Sequence, residues 1–323
     1  MRLLEQSGLP LLLVIMIFFF SINPTIGAVF ASEANVNNVL GNQAVTTLVA
    51  LAMVVPLVAG YFDLSVSGIT GVANIVVAAA IGPHGLPIPV GILMGVVGGA
   101  LIGLVNGFLV AKARLNGFVV TLGTYTFLLG LIAFYTHGTL ITSGIPPSFG
   151  EWTSKTTLGV PRPFLLLLVV AAVIWYVLTQ LPYGRRLASI GSNEDAARLV
   201  GINTDRVVWT SFVISGVLAG AAGALQTSRG GAGDPTIASA YLFPALAAVF
   251  LGATTINPGH YNVWGTVIGV YFLATSVSAL TLLGADVWVQ PVFNGAALVI
   301  AVALSTLIAR RRERVAARAA ISQ

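Results

Sequence analysis

Polar side chains set in apolar runs are where this chain has the means to do chemistry. Asp63, Asn74, Asn106, Asp286, Gln290 and Asn294 lie within or at the ends of such runs. Charge at membrane depth is costly and usually marks function. Asp63 is the sharpest case. It follows Pro56 and Gly60 and precedes Leu64-Ser65-Val66-Ser67-Gly68, the pattern of a broken helix restarted by an aspartate N-cap. Broken helices recur beside solute pathways. Capping alone, and capping combined with a pathway role, both stay open. Asp286 falls near a boundary and is expected to be solvated. The candidate path set is Asp63, Ser65, Asn74, Asn106, Thr121 and Asn294.

Catalytic constellations are poor. The chain has no cysteine, which removes disulfides, thiolate metal sites and cysteine nucleophiles together. His84, His137 and His260 fall in expected loops without metal-ligand spacing, so no metal or cofactor is expected. There is no Walker A pattern. Gly231-Ala232-Gly233-Asp234 and Pro244-Ala245-Leu246 echo two short motifs of intramembrane aspartyl proteases. They lie too close together for separate helices, and Pro235 places Asp234 in a loop. The chain is not expected to be an enzyme.

The elements that carry these residues follow from composition. Of 323 residues, 57% are hydrophobic and 8% charged, against roughly 25% charged in a soluble domain. So few charges cannot coat a water-facing surface, and disorder is excluded with solubility. A net charge of +5 is too slight for a nucleic-acid surface, so no nucleic-acid partner is expected. Apolar runs of about 20 residues cover 9–30, 43–60, 64–81, 90–111, 118–135, 164–181, 207–227, 263–283 and 289–308, with 241–253 as a half-span. The expected fold is all-α: a polytopic membrane bundle of about ten helices forming a single domain over 1–323.

Charge placement orients it. With the N-terminus inside, twelve of the fifteen basic residues fall on the inner side, among them Lys112, Arg114, Arg185, Arg186, Arg198, Arg206 and the arginines of a basic tail at 309–323. Only Lys155, Arg162 and Arg229 fall outside. The positive-inside rule then puts both termini in the cytoplasm. The first run also resembles a leader ending at Val29-Phe30-Ala31, but Glu5 beside Arg2 and the length of the run favour a retained helix. Gly91, Gly95, Gly99, Gly103 and Gly107 recur every four residues. They form a ridge without side chains, drifting slowly around its helix, where another helix packs closely or slides. Gly216 with Gly220, and Gly265 with Gly269, repeat the device.

Two loops stand out. Residues 136–163 form a proline-rich outer loop, and 182–206 form an inner loop holding seven of the 25 charged residues. In the inner loop, Ser192 or Asn193 is placed to cap a short helix ending at Leu199, with Glu194 and Asp195 in its first turn and Gly201 at its stop. Ala196 and Ala197 would leave a shallow face for a groove on a soluble protein. A plain amphipathic connector fits as well.

The run Gly191-Ser192-Asn193-Glu194-Asp195-Ala196-Ala197 through Gly201-Ile202 resembles the cytoplasmic coupling segment of bacterial ABC importer permeases of the ribose, xylose and arabinose branch. Phe62-Asp63-Leu64-Ser65-Val66 and Asn116-Gly117-Phe118-Val119-Val120-Thr121-Leu122-Gly123 resemble two further signatures of that branch. The resemblance spans roughly residues 45–305. Gly117 stands where proline is usual, Ser67 departs from the pattern near Gly68, and 253–261 replaces a glycine-rich run. The resemblance implies an inner-membrane permease subunit for a monosaccharide or similar polyol. It also implies a separate cytoplasmic ABC ATPase, an extracytoplasmic solute-binding protein, a second permease copy and surrounding lipid as partners. Gly191, Ser192, Asn193, Glu194, Ala196, Ala197 and Gly201 would then couple to the ATPase. A branched-chain amino-acid permease is the alternative within the superfamily, and a stand-alone proton-coupled carrier the alternative outside it.

Overall fold

A computed structural model describes residues 2–304, with side chains described from Ser7 onward. In chain order the helices are α1 (Arg2–Ser21), α2 (Gly27–Phe30), α3 (Glu33–Val58), α4 (Ser65–Ile81) and α5 (Ile88–Gly107), the last continued by a π-helix over Phe108–Lys112. Then follow α6 (Gly117–Thr136), α7 (Pro147–Ser154), α8 (Arg162–Thr179), α9 (Pro182–Ser192), α10 (Glu194–Leu199), α11 (Thr204–Gly230), α12 (Ile237–Gly252) and α13 (Val263–Leu282), and α14 (Val289–Leu304). Among the described residues six helices are long and apolar enough to cross a membrane: α3, α5 with its π-helix, α6, α8, α11 and α13. Helices α4, α12, α14 and the stretch Ser7–Ser21 are apolar but shorter. The basic tail at 309–323 lies outside the described residues.

Three expectations need correcting. The run 9–30 is two helices, because Pro24 and the Asn23 side chain, which accepts from Thr25 N at 2.9 Å, turn the chain between them. The 136–163 segment is not a bare loop. It holds α7 and a two-residue hairpin pairing Thr156–Thr157 with Val160–Pro161, turned through Leu158 and Gly159 at positive φ. The 182–206 segment carries two helices rather than one, since Pro182 starts α9 ahead of α10.

The chain clusters into two compact units: residues 44–242, and the described residues before and after them. In the flanking unit α1 packs on α13, and Ile26, Phe30 and Ala279 form a small core. The Tyr271 hydroxyl donates to the Leu40 carbonyl at 2.9 Å. Gly265 and Gly269 lie against the backbone of Gly252 and Ala248, the tight packing their spacing predicts.

In the central unit α4, α5, α6 and α11 pack around one another. All five ridge glycines of α5 are buried, and their drift has a use. A Cβ on Gly91 or Gly95 would meet the Ile81 or Val77 side chain of α4. One on Gly99 or Gly103 would strike the Gly216 or Phe212 carbonyl of α11. The ridge thus passes α5 from one neighbour to the next, and only hydrogen at Cα lets the backbones come so close.

Candidate functional site

The site begins where α3 stops. Tyr61 N donates to the Pro56 carbonyl at 3.1 Å and Gly60 N to the Leu57 carbonyl at 2.9 Å. With Gly60 at φ +85°, this is a Schellman stop, whose left-handed residue is glycine because it has no Cβ to clash. Three residues after Gly60, Asp63 stands two residues ahead of α4 and leads the chain into it. Its Oδ1 accepts from Ser65 N at 3.1 Å and from the Ser65 hydroxyl at 2.5 Å. Its Oδ2 accepts from the Ser215 hydroxyl of α11 at 2.7 Å. Asn106 donates to the Ser65 oxygen at 2.8 Å, and the Thr124 hydroxyl of α6 donates to Asn106 at 2.7 Å. One buried network therefore ties α4, α5, α6 and α11. A carboxylate this deep is costly unless its oxygens are bonded. Among the described residues no buried side-chain polar atom lacks a partner.

The other candidate path residues divide. Thr121 donates to the Gly117 carbonyl at 2.8 Å and to Phe62 at 3.3 Å, which joins it to the Asp63 segment. Asn74 works elsewhere. It donates to Thr227 at 2.9 Å and Ala232 at 3.2 Å, and accepts from Asp234 N at 2.7 Å. Asn294 is buried in the flanking unit. Asp286 is exposed, as expected, and accepts from the Trp288 indole at 3.3 Å. His84, His137 and His260 are exposed, and no metal-holding cluster occurs among the described residues.

The charged loop forms a second cluster. Asn193, not Ser192, caps α10, accepting from Ala196 N at 2.9 Å; Ser192 closes α9. Gly201 ends α10 in the same Schellman geometry as Gly60: Gly201 N reaches Arg198 O and Ile202 N reaches Ala197 O, both at 3.0 Å. The Arg198 guanidinium bonds Glu194 Oε1 at 2.6 Å, Asp205 at 3.1 Å and Thr204 at 2.8 Å, and Arg114 lies 3.8 Å from Asp205. The Tyr61 hydroxyl donates to Glu194 Oε2 at 2.6 Å. Burial opposes charge on Glu194, but donation from Tyr61 and the Arg198 pair outweigh it and hold its carboxyl below the usual range. Burial first, and then the bond to Glu194, push the Tyr61 phenol well above its ordinary value. A cavity of about 210 Å³ opens between this cluster and Val110 and Ala111 of the π-helix.

One expectation about this loop is overturned. Ala197 is 3% exposed, so it belongs to the packing beneath α10 and not to an outward face. α10 packs there against α9 and α11. The outward side carries Ala196, with Leu199 and Val200 at 89% and 77% exposure.

Sequence reasoning missed Tyr61, Thr124, Ser215 and the acceptor role of Asp205. Ser211 and Ser215, four apart within the apolar α11, were the available signal for one of them. Tyr61 gave none, since an aromatic at a helix end is ordinary.

Comparison with known proteins adds an independent line. The family model described as branched-chain amino acid transport system, permease component, matches residues 35–302. The chain is 33% identical over 306 residues to a ribose import permease protein of Haemophilus influenzae, covering 93% of this chain and 92% of that protein. It is 34% identical over 294 residues to the ribose import permease protein of Bacillus subtilis, covering 91% and 90%. It is 28% identical over 300 residues to a D-allose transport system permease protein of Escherichia coli, covering 93% and 91%. No solved structure matches the chain.

Proposed function

We propose that this chain, which belongs to the family of branched-chain amino acid transport system permease components, is the membrane-spanning subunit of an ATP-driven sugar importer. The named relatives import or transport ribose and allose, which favours a sugar over a branched-chain amino acid. The helices are those of a multi-pass membrane protein. We place it in the bacterial inner membrane with about ten crossings and both termini in the cytoplasm, on the positive-inside count. Its partners are a cytoplasmic ATPase pair, a second permease copy and an extracytoplasmic solute-binding protein.

The observation that carries this reading is α10. Asn193 and Gly201 fix its two ends, Arg198 and Glu194 clamp its inner side, and the result holds Leu199 and Val200 out in the open. Two large aliphatic side chains presented on a charged loop fit a groove on a soluble partner. Residues 191–201 are the coupling element in this reading, and energy enters only through contacts that differ between ATPase states.

Replacing Leu199 with Glu should abolish ATPase co-purification and ATP-driven uptake while the chain still inserts. Gradient-driven sugar uptake by the chain alone, reconstituted in vesicles without an ATPase, would overturn the importer reading in favour of a secondary carrier. The candidate path residues Asp63, Ser65, Asn106 and Thr121 are proposed to act at the inner rim of the path, where breaking their interhelical bonds would let the helices part.

A further inference from the structure

We propose that Tyr61 is the positioning residue that gears the α10 coupling element to the buried Asp63 network. The inference rests on the importer reading above, and it names where the push is received.

Four observations converge on it. First, α10 and the start of α11 form one clamped fragment, because Arg198 holds Glu194, Thr204 and Asp205 together. Arg198 takes one Glu194 oxygen, and the other is left for Tyr61. The Tyr61 hydroxyl therefore crosses from that fragment to the break between α3 and α4, 133 residues away in sequence. Second, a backbone contact runs parallel to it. Gly191 lies so close under the Val58 carbonyl that a Cβ there would collide with it. The loop therefore bears on the last turn of α3 and on the residue just beyond it.

Third, Tyr61 is held stiffly. Its amide closes the Schellman stop on Pro56, and its ring lies edge-on to Phe212 of α11 with centroids 6.5 Å apart. Asp63 follows two residues later, and from its carboxylate hydrogen bonds reach α4, α11, α5 and α6 in turn. A displacement of Tyr61 is thus delivered to four helices through short bonds. Fourth, there is room for that displacement. The 210 Å³ cavity adjoins Tyr61, Glu194 and the π-helix, and π-turns tend to sit at functional sites. The phenol, pushed up by burial and by Glu194, stays a donor across physiological pH.

The test uses the assembled complex in proteoliposomes, with ribose, allose and xylose supplied through the binding protein and ATP inside. The reading is sugar taken up per ATP hydrolysed. Tyr61→Phe keeps the ring on Phe212 and removes only the hydroxyl. It should leave ATPase co-purification and hydrolysis within about twofold of wild type and lower uptake per ATP about tenfold, the scale of one charge-assisted hydrogen bond. Glu194→Ala, which also frees Arg198 from its clamp on α10, should lower uptake per ATP at least as far, and Glu194→Gln, which keeps an acceptor oxygen, should restore most of the coupling. The double variant Tyr61→Phe, Glu194→Ala should lose no more than Glu194→Ala alone. A wild-type uptake ratio in Tyr61→Phe, or losses that multiply in the double variant, would overturn the gearing role and leave the importer reading standing. ATP-independent uptake by the wild-type chain would overturn both.

Discussion

The crossing of α5 and α11 offers a graded test, because its glycines face three different surroundings. A Cβ on Gly98 would meet nothing within 4 Å. One on Gly95 would meet the Val77 Cγ2 at 2.6 Å, the end of a side chain. One on Gly220 would meet the Gly95 carbonyl oxygen at 2.7 Å and the Val96 Cα at 2.9 Å, both backbone. Ordinary contact begins near 3.4 Å, so Gly220→Ala asks the two helices to part by about 0.7 Å at a point where nothing flexible can yield. Overpacking of that kind costs about 1–3 kcal/mol. Gly98→Ala should cost nothing and gain up to about 1 kcal/mol in helix propensity. Gly95→Ala should fall between them, because Val77 has a rotamer to give. Thermal unfolding of the purified chain in one detergent, with one protocol for all variants, should rank the midpoints Gly98→Ala, Gly95→Ala, Gly220→Ala from highest to lowest. Equal midpoints for Gly220→Ala and Gly98→Ala would refute the inference that α5 and α11 touch through backbone.

Two further outcomes are expected. Ser215→Ala removes the donor to Asp63 Oδ2 and should destabilise the chain by about 1–3 kcal/mol. Ser211→Ala, which gives up only a local bond to the Val208 carbonyl, should cost less than about 1 kcal/mol, and the same unfolding assay compares them. A group whose folded pKa is depressed stabilises the fold above its ordinary value and loses that contribution as pH falls through the folded one. Glu194 should therefore keep its contribution down to its ordinary value of 4.5 and lose it below. The difference in midpoint between wild type and Glu194→Gln, followed from about pH 7 to about pH 3, checks this. A difference that vanishes by about pH 6 would show that the Tyr61 and Arg198 contacts are not made.

Much of the local architecture was legible because it rests on residues with few alternatives. Gly60 and Gly201 announce left-handed stops, and Asn116, Asn193, Asn203 and Asn262 all cap the helices that follow them. The four-residue glycine spacing foretold a helix seam, while the passage of the ridge from α4 to α11 came only with the packing. Asp63 was legible as a helix starter. What stayed hidden was partnership across distance. Nothing near Tyr61 points to Glu194, and nothing near Asp63 points to Ser215, because such bonds are decided by how helices pack and not by local pattern. Ala197 went wrong for the same reason: a small residue suits an open groove and a tight interior equally well. Gly117 and Ser67, departures from the expected motifs, are accommodated in opposite ways. Gly117 begins α6 behind the Asn116 cap, where proline would serve without strain, and the Ser67 hydroxyl acquires a bond to the Ala238 carbonyl.

Helix α4 and the turn before it are fastened to α11 at three points. Near one end Ser215 grips Asp63, midway Thr70 donates to the Ala219 carbonyl at 3.2 Å, and farther along Thr227 meets Asn74. The outer two points on α11 are twelve residues apart, about 18 Å at the rise of an α-helix. A single fastening would make a pivot. Three so widely spread take away the freedom to swivel, and the pair must travel as one stiff plank. Whatever opens and closes during a transport cycle then bends elsewhere, as at the unwound turn after Leu199, and cutting one bolt should still leave a plank, while cutting two should turn it into scissors.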